Sequence, residues 1–332
     1  MLDASSLRSI PGVCDLTWLR PRGERGHRDE GPPRLLIEIP HGATERSDYE
    51  TFAAQLRSSL PADLEEFFFV NTDIGAPECA IKIAEELAAT GKPLGVLIIR
   101  SRIPRTFIDC NRVTAGMPGV VVDGLTPALA SYIEDPADRQ LLEARHRRYH
   151  GVVASAYDLI CGSGGLALQL HSYAPRSVEI EEIDRDIVHK LRWAYTPEVY
   201  KRWRQRPDID VICESTDGSA LSSPELVNLI LDGYRGLGLE VGASRTYRLH
   251  PTTMGYQYAS RFPGKVICVE LSRELVANPF TPLCESPLCQ AKIERLAKPL
   301  ARSLRRALGG RTTHEDLKNE QLHPPTTSDT PE

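Results

Sequence analysis

Polar side chains that could bind a metal ion follow apolar runs that are typical of buried strands. His41 comes directly after LLIEIP, His171 comes after LALQL, and Glu270 lies near the end of VICVEL. In an open α/β sheet, ligands bind along the edge where the strands reach their carboxyl ends. We therefore expect two imidazoles and a carboxylate to point at one place from rigid strand ends.

A fourth apolar run, LGVLIIR, leads into the segment SRIPRTFIDCNR, which holds Arg105, Asp109, Asn111 and Arg112. A single histidine after a strand is more often a hydrogen-bonded structural residue than a metal ligand. Two such histidines, a strand-end glutamate and an Asn-Arg pair in one sheet favour a ligand site more strongly. Spacing alone leaves both interpretations open.

The elements that must position these side chains alternate along the chain between apolar runs and helical patterns. Strands are predicted at 35–39, 94–100, 166–170 and 266–271, and helices at about 48–59, 77–90, 136–160, 223–238 and 287–308. The run EFFFVNT at 66–72 is compatible with a strand or a buried turn. This alternation predicts an α/β fold in which helices cover both faces of a central sheet.

Composition argues against several classes of protein. The formal net charge is −5 and the isoelectric point about 6.0, so the charge balance favours neither nucleic acid nor membrane as a partner. No apolar run approaches the roughly 18 residues of a transmembrane helix, and the N-terminal MLDASSLRSI lacks the apolar stretch of a signal peptide. The eight cysteines form no C-x-x-C pair, which is typical of reduced thiols in a cytoplasmic protein.

We expect residues 1–309 to form one α/β domain. The Gly- and Pro-rich segment 20–33 predicts a mobile loop or a hairpin before the first core strand. Segment 174–211 is long and charged and follows His171 almost directly, which is compatible with a lid over a site or with a solvated surface excursion. Segment 310–332 has almost no large apolar residue, which predicts a disordered tail.

Several short blocks give the sequence a family resemblance. They are PHGAT, NTD, RTFIDCNR, RYH, LQLHS, MGY and VICVEL, spread in this order over about residues 35–275. In these blocks the sequence resembles the N-formylglutamate amidohydrolase family, whose fold is similar to that of zinc carboxypeptidases and other phosphorylase/hydrolase-like proteins. The resemblance implies a mixed, mainly parallel, eight-stranded sheet flanked by helices on both faces, and an amide-hydrolysing activity.

The resemblance also implies a site for one zinc ion, with another divalent metal as the alternative. His41 and His171 are the expected imidazole ligands, and Asp73 in the NTD block is the first choice for a carboxylate ligand. Glu45 is the alternative third ligand, since carboxypeptidase-like sites take a carboxylate shortly after their first histidine. The carboxypeptidase motif is H-x-x-E, but Thr44 occupies the position of its glutamate here.

The resemblance extends to the catalytic groups. Glu270 is the expected general base, which would take a proton from water and pass it to the leaving amine. The alternative to a catalytic role for Glu270 is a structural salt bridge to Arg273. Arg105 is expected to polarise the scissile carbonyl and stabilise the oxyanion. Asp109 is expected to brace the arginines rather than to react.

Substrate contacts are expected from Asn111 and Arg112, which resemble the pair that grips a substrate carboxylate, and from four further residues: His150, Arg176, Gly255 and Tyr256. His146 has the i, i+4 spacing with His150 that can bind metal, but its arginine neighbours favour a solvated position. Gly42 is expected to leave space beside the metal and to permit a sharp turn.

These inferences predict a zinc-dependent hydrolase that cleaves the N-acyl or N-formyl amide bond of a small carboxylated substrate, such as an N-acyl amino acid. A carboxypeptidase-like peptidase acting on short peptides is the alternative among enzymes. A non-catalytic relative that binds a carboxylated ligand is the alternative from another class. Nucleic acid and membrane are not expected as partners, and the assembly is open between monomer and homodimer.

Overall fold

A computed structural model of the chain describes residues 7–20, 33–89, 94–114, 127–180 and 182–309. The predicted tail at 310–332 and most of the predicted loop at 20–33 lie outside these residues. Within them, seven strands form one sheet: β1 Cys14–Leu19, β2 Leu35–Ile39, β3 Val96–Ser101, β4 Leu166–Tyr173, β5 Ile209–Ile212, β6 Val241–Ala243 and β7 Val266–Ser272.

The helices of the described residues are α1 Arg46–Ala53, α2 Leu64–Asn71, α3 Ala76–Ala89, α4 Pro136–Ile160, α5 Ile187–Ala194, α6 Pro197–Tyr200, α7 Pro224–Arg235, α8 Met254–Arg261 and α9 Gln290–Ala307. A 3₁₀ turn at Arg273–Leu275 follows β7. Among these helices, none combines the length and the apolar content that crossing a lipid bilayer would demand.

The strands lie in the order β1-β3-β2-β4-β7-β5-β6. Strand β2 is parallel to both β3 and β4, β4 is parallel to β7, and β5 is parallel to β6. The two antiparallel pairs are β1 with β3 and β5 with β7. The expected mixed, mainly parallel sheet is therefore confirmed. The resemblance implied eight strands, whereas the described residues form seven.

Apolar side chains cover both faces of the sheet. On β2, Leu36 contributes to a core on one face, while Leu35, Ile37 and Ile39 contribute to a second core on the other face. Helix α4 supplies much of the first core, and α3, α7 and α9 supply the second. Burial on both sides explains why β2 and β7 read as nearly continuous apolar runs. The exception on β2 is Glu38, which shares the face of Leu36.

The run at 66–72 forms the last turns of helix α2, not a strand or a buried turn. Short apolar runs cannot be assigned by periodicity alone, and here three consecutive phenylalanines hide the helical pattern. Phe67, Phe68 and Phe69 are all buried, so the helix is covered on several sides. Helix α4, in contrast, has the predicted bounds. Its start is marked by Asp135, whose side chain accepts hydrogen bonds from two backbone N–H groups of the first turn.

Candidate metal centre and substrate cavity

The sheet places His41, His171 and Glu270 at the carboxyl edge of three neighbouring strands. His41 follows the end of β2 by two residues. His171 lies inside β4 and not after it, because the pairing of β4 with β7 continues to Tyr173. His171 and Glu270 are direct partners in that pairing, so both side chains leave the same face of the sheet.

Asp73 reaches the two histidines from the loop between α2 and α3. This loop is attached to the His41 loop, because Thr72 Oγ1 donates to the carbonyl of Ala43 at 2.7 Å. One Asp73 oxygen, Oδ2, lies 3.1 Å from His41 Nδ1 and 2.8 Å from His171 Nδ1. All three side chains are buried, and one potential ligand atom from each lies within 4.8 Å of the other two.

The outer nitrogen of each ring has its own acceptor. His41 Nε2 lies 2.8 Å from Asp109 Oδ1, and His171 Nε2 lies 3.2 Å from Gln169 Oε1. The Gln169 amide is oriented by Glu38, since its Nε2 donates to Glu38 Oε2 at 3.1 Å. Acceptors behind both rings favour the tautomers that carry hydrogen on Nε2.

With hydrogen on Nε2, two Nδ1 lone pairs and a carboxylate oxygen converge on one buried point. Three acceptors without a donor between them repel one another, unless a cation occupies the point. The residues present therefore fit a divalent metal ion, and two imidazoles with one carboxylate are a ligand set that zinc uses in catalytic sites. Within the described residues, the one such cluster is His41, Asp73 and His171.

The charges around the cluster support a cation. Burial opposes ionisation of Asp73, but the His41 and His171 rings outweigh it and hold its pKa below the usual range. Burial likewise opposes ionisation of Asp109, and Arg105 and His41 outweigh it, so the pKa of Asp109 lies well below its ordinary value. Arg105 pairs with Asp109, and Arg273 Nη2 lies 3.9 Å from Asp73 Oδ1, so Asp73 Oδ2 is the carboxylate oxygen that remains between the two imidazoles to face a bound ion.

Glu38 lies beneath this centre and is fully buried. Besides Gln169, the hydroxyls of Tyr149 and Tyr157 donate to its carboxylate, each at 2.9 Å. Burial raises the pKa of Glu38, although the three donors partly offset this effect. The carboxyl group thus orients the Gln169 amide, and through it the His171 ring. Because the group is buried, its ionisation lowers the stability of the fold, and this effect depends on pH.

Replacing Glu38 with glutamine is expected to change how stability depends on pH. The unfolded chain releases the Glu38 proton near pH 4.3, whereas the folded chain retains it to higher pH. The stabilising contribution of the proton is therefore complete below that pH and is lost as pH rises through the folded pKa. The unfolding free energy of wild type relative to Glu38→Gln should fall by about 1.4 kcal/mol for each unit of pKa difference.

Urea denaturation of both proteins at pH 4.5 and pH 8 measures this difference. The exposed Glu198 provides a matched control, because Glu198→Gln removes a carboxylate that lies in solvent. A rise with pH in the unfolding free energy of wild type relative to that of Glu38→Gln would contradict a raised pKa for Glu38.

Glu270 has an unusual environment for a carboxylate. Its Oε2 atom is buried and has no hydrogen-bond partner among the described residues. Burial, reinforced by the charge of Asp73, raises the pKa of Glu270 to about 7. The alternative to a catalytic role, an ion pair between Glu270 and Arg273, is not formed in the described structure. Arg273 instead donates hydrogen bonds to the carbonyls of Val70 and Ser172. Glu270 is thus free to exchange a proton beside the candidate metal centre.

A cavity of about 530 Å³ opens above the three strand ends. Its lining includes His41, Asp73, His171 and Glu270. Six arginines also line it: Arg105, Arg112, Arg176, Arg206, Arg248 and Arg273. Of the described lining residues, only Asp73 and Glu270 are acidic. This excess of guanidinium groups favours an anionic ligand.

Arg105, Asn111 and Arg112 all line this cavity, as the sequence suggested. Arg105 Nε donates to Asp109 Oδ2 at 3.0 Å, so the same carboxylate holds both Arg105 and His41. Asn111 Oδ1 accepts the backbone N–H of Gly255 at 3.3 Å. The Arg112 guanidinium has no hydrogen-bond or ion-pair partner within the part of the chain that the structure describes.

Four predicted residues lie elsewhere. Glu45 begins helix α1 and forms ion pairs with Arg100 and Arg102, so it is not part of the His-Asp-His cluster. His150, Gly255 and Tyr256 do not belong to the described lining of the cavity. Gly255 instead supports Asn111 through its backbone N–H.

The expectation that His146 is solvated is wrong. His146 is fully buried, because it lies on the inward face of α4 while Arg147 and Arg148 point outward. Its Nε2 lies 2.9 Å from the carbonyl of Arg112 and 3.0 Å from His150 Nε2. Burial lowers the pKa of His150 to about 3 and also lowers the pKa of His146, so both rings are neutral. The pair supports the Arg112 segment through the contact between His146 Nε2 and the Arg112 carbonyl.

The reason for glycine at position 42 also differs from the expectation. A Cβ atom there would lie 2.6 Å from Arg100 Cγ and 3.1 Å from the carbonyl of Ser101. The turn after β2 therefore packs too closely on the end of β3 for any side chain. Close packing between strands, rather than space for substrate, requires Gly42.

Segment 174–211 lies along one side of the cavity. It contains α5 and α6 and ends in β5. Arg176 lines the cavity, although its Nη1 donates to the carbonyl of Trp203 at 2.8 Å. Residue 181 of this segment lies outside the described residues.

Sequence reasoning missed the supporting residues Glu38 and Gln169. A signal was present, because each is the one polar residue inside an otherwise apolar run of five residues. LLIEI places Glu38, and LALQL places Gln169, on the face that carries the site. A polar side chain inside a buried strand requires partners. The role of Asp109 in holding His41 had no local signal.

Solved structures with similar folds were found. An N-formylglutamate amidohydrolase from Ralstonia eutropha is 19% identical, with 88% of this chain and 98% of that chain covered and a TM-score of 0.49. A gene product of Agrobacterium tumefaciens is 16% identical, with 91% and 98% covered and a TM-score of 0.51. Carboxypeptidase A from Helicoverpa armigera is 11% identical, with 90% and 70% covered and a TM-score of 0.40. The second similarity shows the fold.

Comparison at the level of sequence gives the family. No curated protein matches the chain. The family model described as N-formylglutamate amidohydrolase matches residues 34–277, from the start of β2 to beyond β7. This range includes every residue of the His-Asp-His cluster, Glu270 and the Arg105–Arg112 segment. Since the match spans most of the sequence, the chain belongs to the N-formylglutamate amidohydrolase family.

Proposed function

We propose that the protein is a zinc-dependent hydrolase that cleaves the N-acyl amide bond of a small carboxylated substrate, such as an N-formyl or N-acyl amino acid. One observation carries this proposal: His41, Asp73 and His171 converge on one buried point, and Glu270 is the strand partner of His171. Family membership supports the amide bond as the target.

The three residues would hold the ion through His41 Nδ1, an Asp73 oxygen and His171 Nδ1. When bound, a zinc ion lowers the pKa of a coordinated water to near neutrality and polarises a carbonyl. Asp109 and Gln169 keep the two rings in the required tautomer. Asp109 contributes negative charge as well as orientation, since it stays ionised.

In this proposal Glu270 moves the proton. Its carboxylate takes a proton from the attacking water as the oxygen of that water bonds to the acyl carbon. It then gives the proton to the nitrogen as the C–N bond breaks, which releases a carboxylate and an amine. A raised pKa suits this exchange at neutral pH. A nearby divalent cation would lower that pKa again and keep the carboxylate ready to accept.

In the same proposal Arg105 stabilises the negative oxygen that develops on the acyl carbon. Asp109 holds its Nε at 3.0 Å, which leaves the terminal nitrogens for the cavity. A guanidinium held in this way needs little reorganisation during the reaction, which is the condition for effective electrostatic stabilisation.

We assign binding of the substrate carboxylate to Arg112 and Asn111. Arg112 has a guanidinium without a described partner, and Asn111 has its oxygen engaged by Gly255. The Asn111 amide nitrogen can therefore donate to the same anion as Arg112. A planar guanidinium binds a carboxylate through two parallel hydrogen bonds.

The proposed function is tested with a panel of amides supplied to the zinc-loaded protein. The panel contains N-formyl and N-acetyl forms of glutamate and aspartate, their carboxamide analogues, and short peptides that end in glutamate. We expect turnover of the N-acyl acids and weak or no turnover of the carboxamides. Faster cleavage of the peptides would favour the carboxypeptidase-like alternative. No turnover of any amide by the metal-loaded protein would favour the ligand-binding alternative.

Replacing Arg112 with glutamine is expected to raise KM for an N-acyl amino acid by roughly 10- to 100-fold, because a hydrogen bond to a charged group is lost. The effect on kcat should be smaller, since the contact is made before and during the reaction. Steady-state kinetics on the substrate that the panel identifies measures both constants. Arg148→Gln is the matched control, since Arg148 lies exposed on α4. An unchanged KM would remove Arg112 from substrate binding.

A further inference from the structure

The cavity has an apolar side that a short, highly charged ligand does not use. Between Ser177 and Leu191 the chain is rich in charged residues, yet those that line the cavity are Val178, Ile180, Ile183, Ile187 and Leu191. Arg185, which lies between them in the chain, donates instead to the carbonyl of Ser59. None of the described charged side chains in this stretch lines the cavity.

Helix α2 supplies further apolar side chains to the same cavity. Phe67 and Val70 line the cavity from α2, and α2 packs against α5. Val178, Ile180 and Ile183 are only partly buried. All three belong to the lining of the cavity. We call the seven side chains of α2 and segment 178–191 the apolar wall.

The apolar wall and the carboxylate-binding residues approach the metal centre from different elements. Asn111 and Arg112 lie against the start of α8, through backbone contacts to Met254 and Thr253. The apolar wall begins on the helix that leads into Asp73. The backbone N–H of Asn111 donates to Asp109, which also contacts His41 of the centre. The apolar wall is instead connected to the centre along the chain, because α2 ends two residues before Asp73.

We propose that the substrate carries an apolar acyl chain of several carbons, which packs on the apolar wall, so that the enzyme is a deacylase for medium-length N-acyl amino acids. The inference rests on the proposed function, because it places the scissile amide at the metal centre. With the carboxylate held by Arg112, the other side of the amide is the acyl group, and that group meets Val178, Ile183 and Phe67.

Cavity size is consistent with this substrate. The volume of about 530 Å³ lies within the range of roughly 300–1,000 Å³ for sites that enclose drug-sized ligands. A single formyl carbon would leave the apolar wall in contact with water. Each methylene that the wall removes from water is expected to raise affinity about fourfold.

The test measures binding, so that it does not depend on turnover. Calorimetry gives the Kd of N-formyl-, N-butanoyl- and N-hexanoyl-L-glutamate for zinc-loaded Glu270→Gln protein, whose slow turnover preserves the compounds during the titration. We expect affinity to rise with chain length by at least tenfold from formyl to hexanoyl. Flat or falling affinity, including no binding of any compound, would overturn the inference. Failure of wild type to cleave any of them would overturn the proposed function, while the binding series still decides the acyl site.

Val178→Thr tests the wall itself without changing its shape. A hydroxyl placed against an alkyl chain lacks a partner, so the ratio of hexanoyl to formyl affinity should drop about fivefold. Val152→Thr is the matched control, because Val152 is half-buried against the same core but lies on α4 away from the cavity. An equal drop in both variants, or none in Val178→Thr, would show that chain length is not sensed at this wall.

Discussion

Glu270→Gln protein is expected to bind its metal normally and to lose roughly 10²- to 10⁴-fold in kcat, the range typical of a missing general acid–base group. Glutamine has the shape of glutamate but accepts no proton at neutral pH. His171, the strand partner of Glu270, remains in register on β4, so the candidate metal centre should be unchanged. The loss should appear equally in kcat/KM, because proton transfer belongs to the transition state and not to substrate binding.

Elemental analysis and steady-state kinetics on the same preparations measure the two halves of this result. Glu274→Gln is the matched control, since Glu274 lies four residues later and is exposed. Near-normal kcat in Glu270→Gln would remove Glu270 from the mechanism. Loss of metal together with activity would mean that Glu270 supports the ligands rather than the proton transfer. Either outcome would leave the fold and the family membership untouched.

Long apolar runs are the elements of the fold that could be predicted from the sequence, and short ones are those that could not. Strands β2, β3, β4 and β7 are central and buried on both faces, so their sequences are strong signals. The missed strands β1, β5 and β6 lie toward the two edges of the sheet. β5 and β6 have only four and three residues, which is too short for a pattern. Helix α2 was missed because its neighbours bury several of its sides at once.

The residues of the candidate site also differ in how well the sequence predicts them. His41, His171 and Glu270 could be found because strand ends are rigid, and a polar residue at such an end is visible in the sequence. The choice between Asp73 and Glu45 could not be made from spacing. Glu45 is close to His41 in sequence, but it begins a helix and pairs with Arg100 instead. Asp73 reaches the ring because Thr72 attaches its loop to Ala43, which is a tertiary contact.

The network that holds the rings is also tertiary. Asp109 joins Arg105 to His41 across a loop, and Gln169 joins His171 to Glu38 across two strands. Such hydrogen bonds depend on the register of the sheet, because the register decides which residues of neighbouring strands lie side by side. The sequence alone does not give that register. They matter for function because acceptors behind the rings set which nitrogen faces the ion. Outer residues of this kind typically change metal affinity by 10- to 100-fold.

His171→Ala protein is expected to lose its bound metal, by far more than the 10- to 100-fold that follows from losing an outer partner. The variant removes one of three ligands and leaves Asp73 Oδ2 with a single imidazole neighbour. Because the ring is buried, an alanine also leaves a space beside Gln169. Elemental analysis after dialysis against a weak chelator measures the remaining metal per chain, and circular dichroism checks that the fold is retained.

Asp73→Asn is the second variant, since it keeps the size of the side chain and removes only the ionised ligand. Both variants should lose metal and activity together, while His189→Ala, on the exposed side of α5, should retain both. A full metal complement in folded His171→Ala and Asp73→Asn proteins would mean that the ion, if present, binds elsewhere. The convergence of the two Nδ1 atoms on Asp73 would then be a structural ion pair, with protonated histidine in place of the cation. Metal loss in both variants with a native fold distinguishes these cases, because a structural pair would have cost stability and not metal.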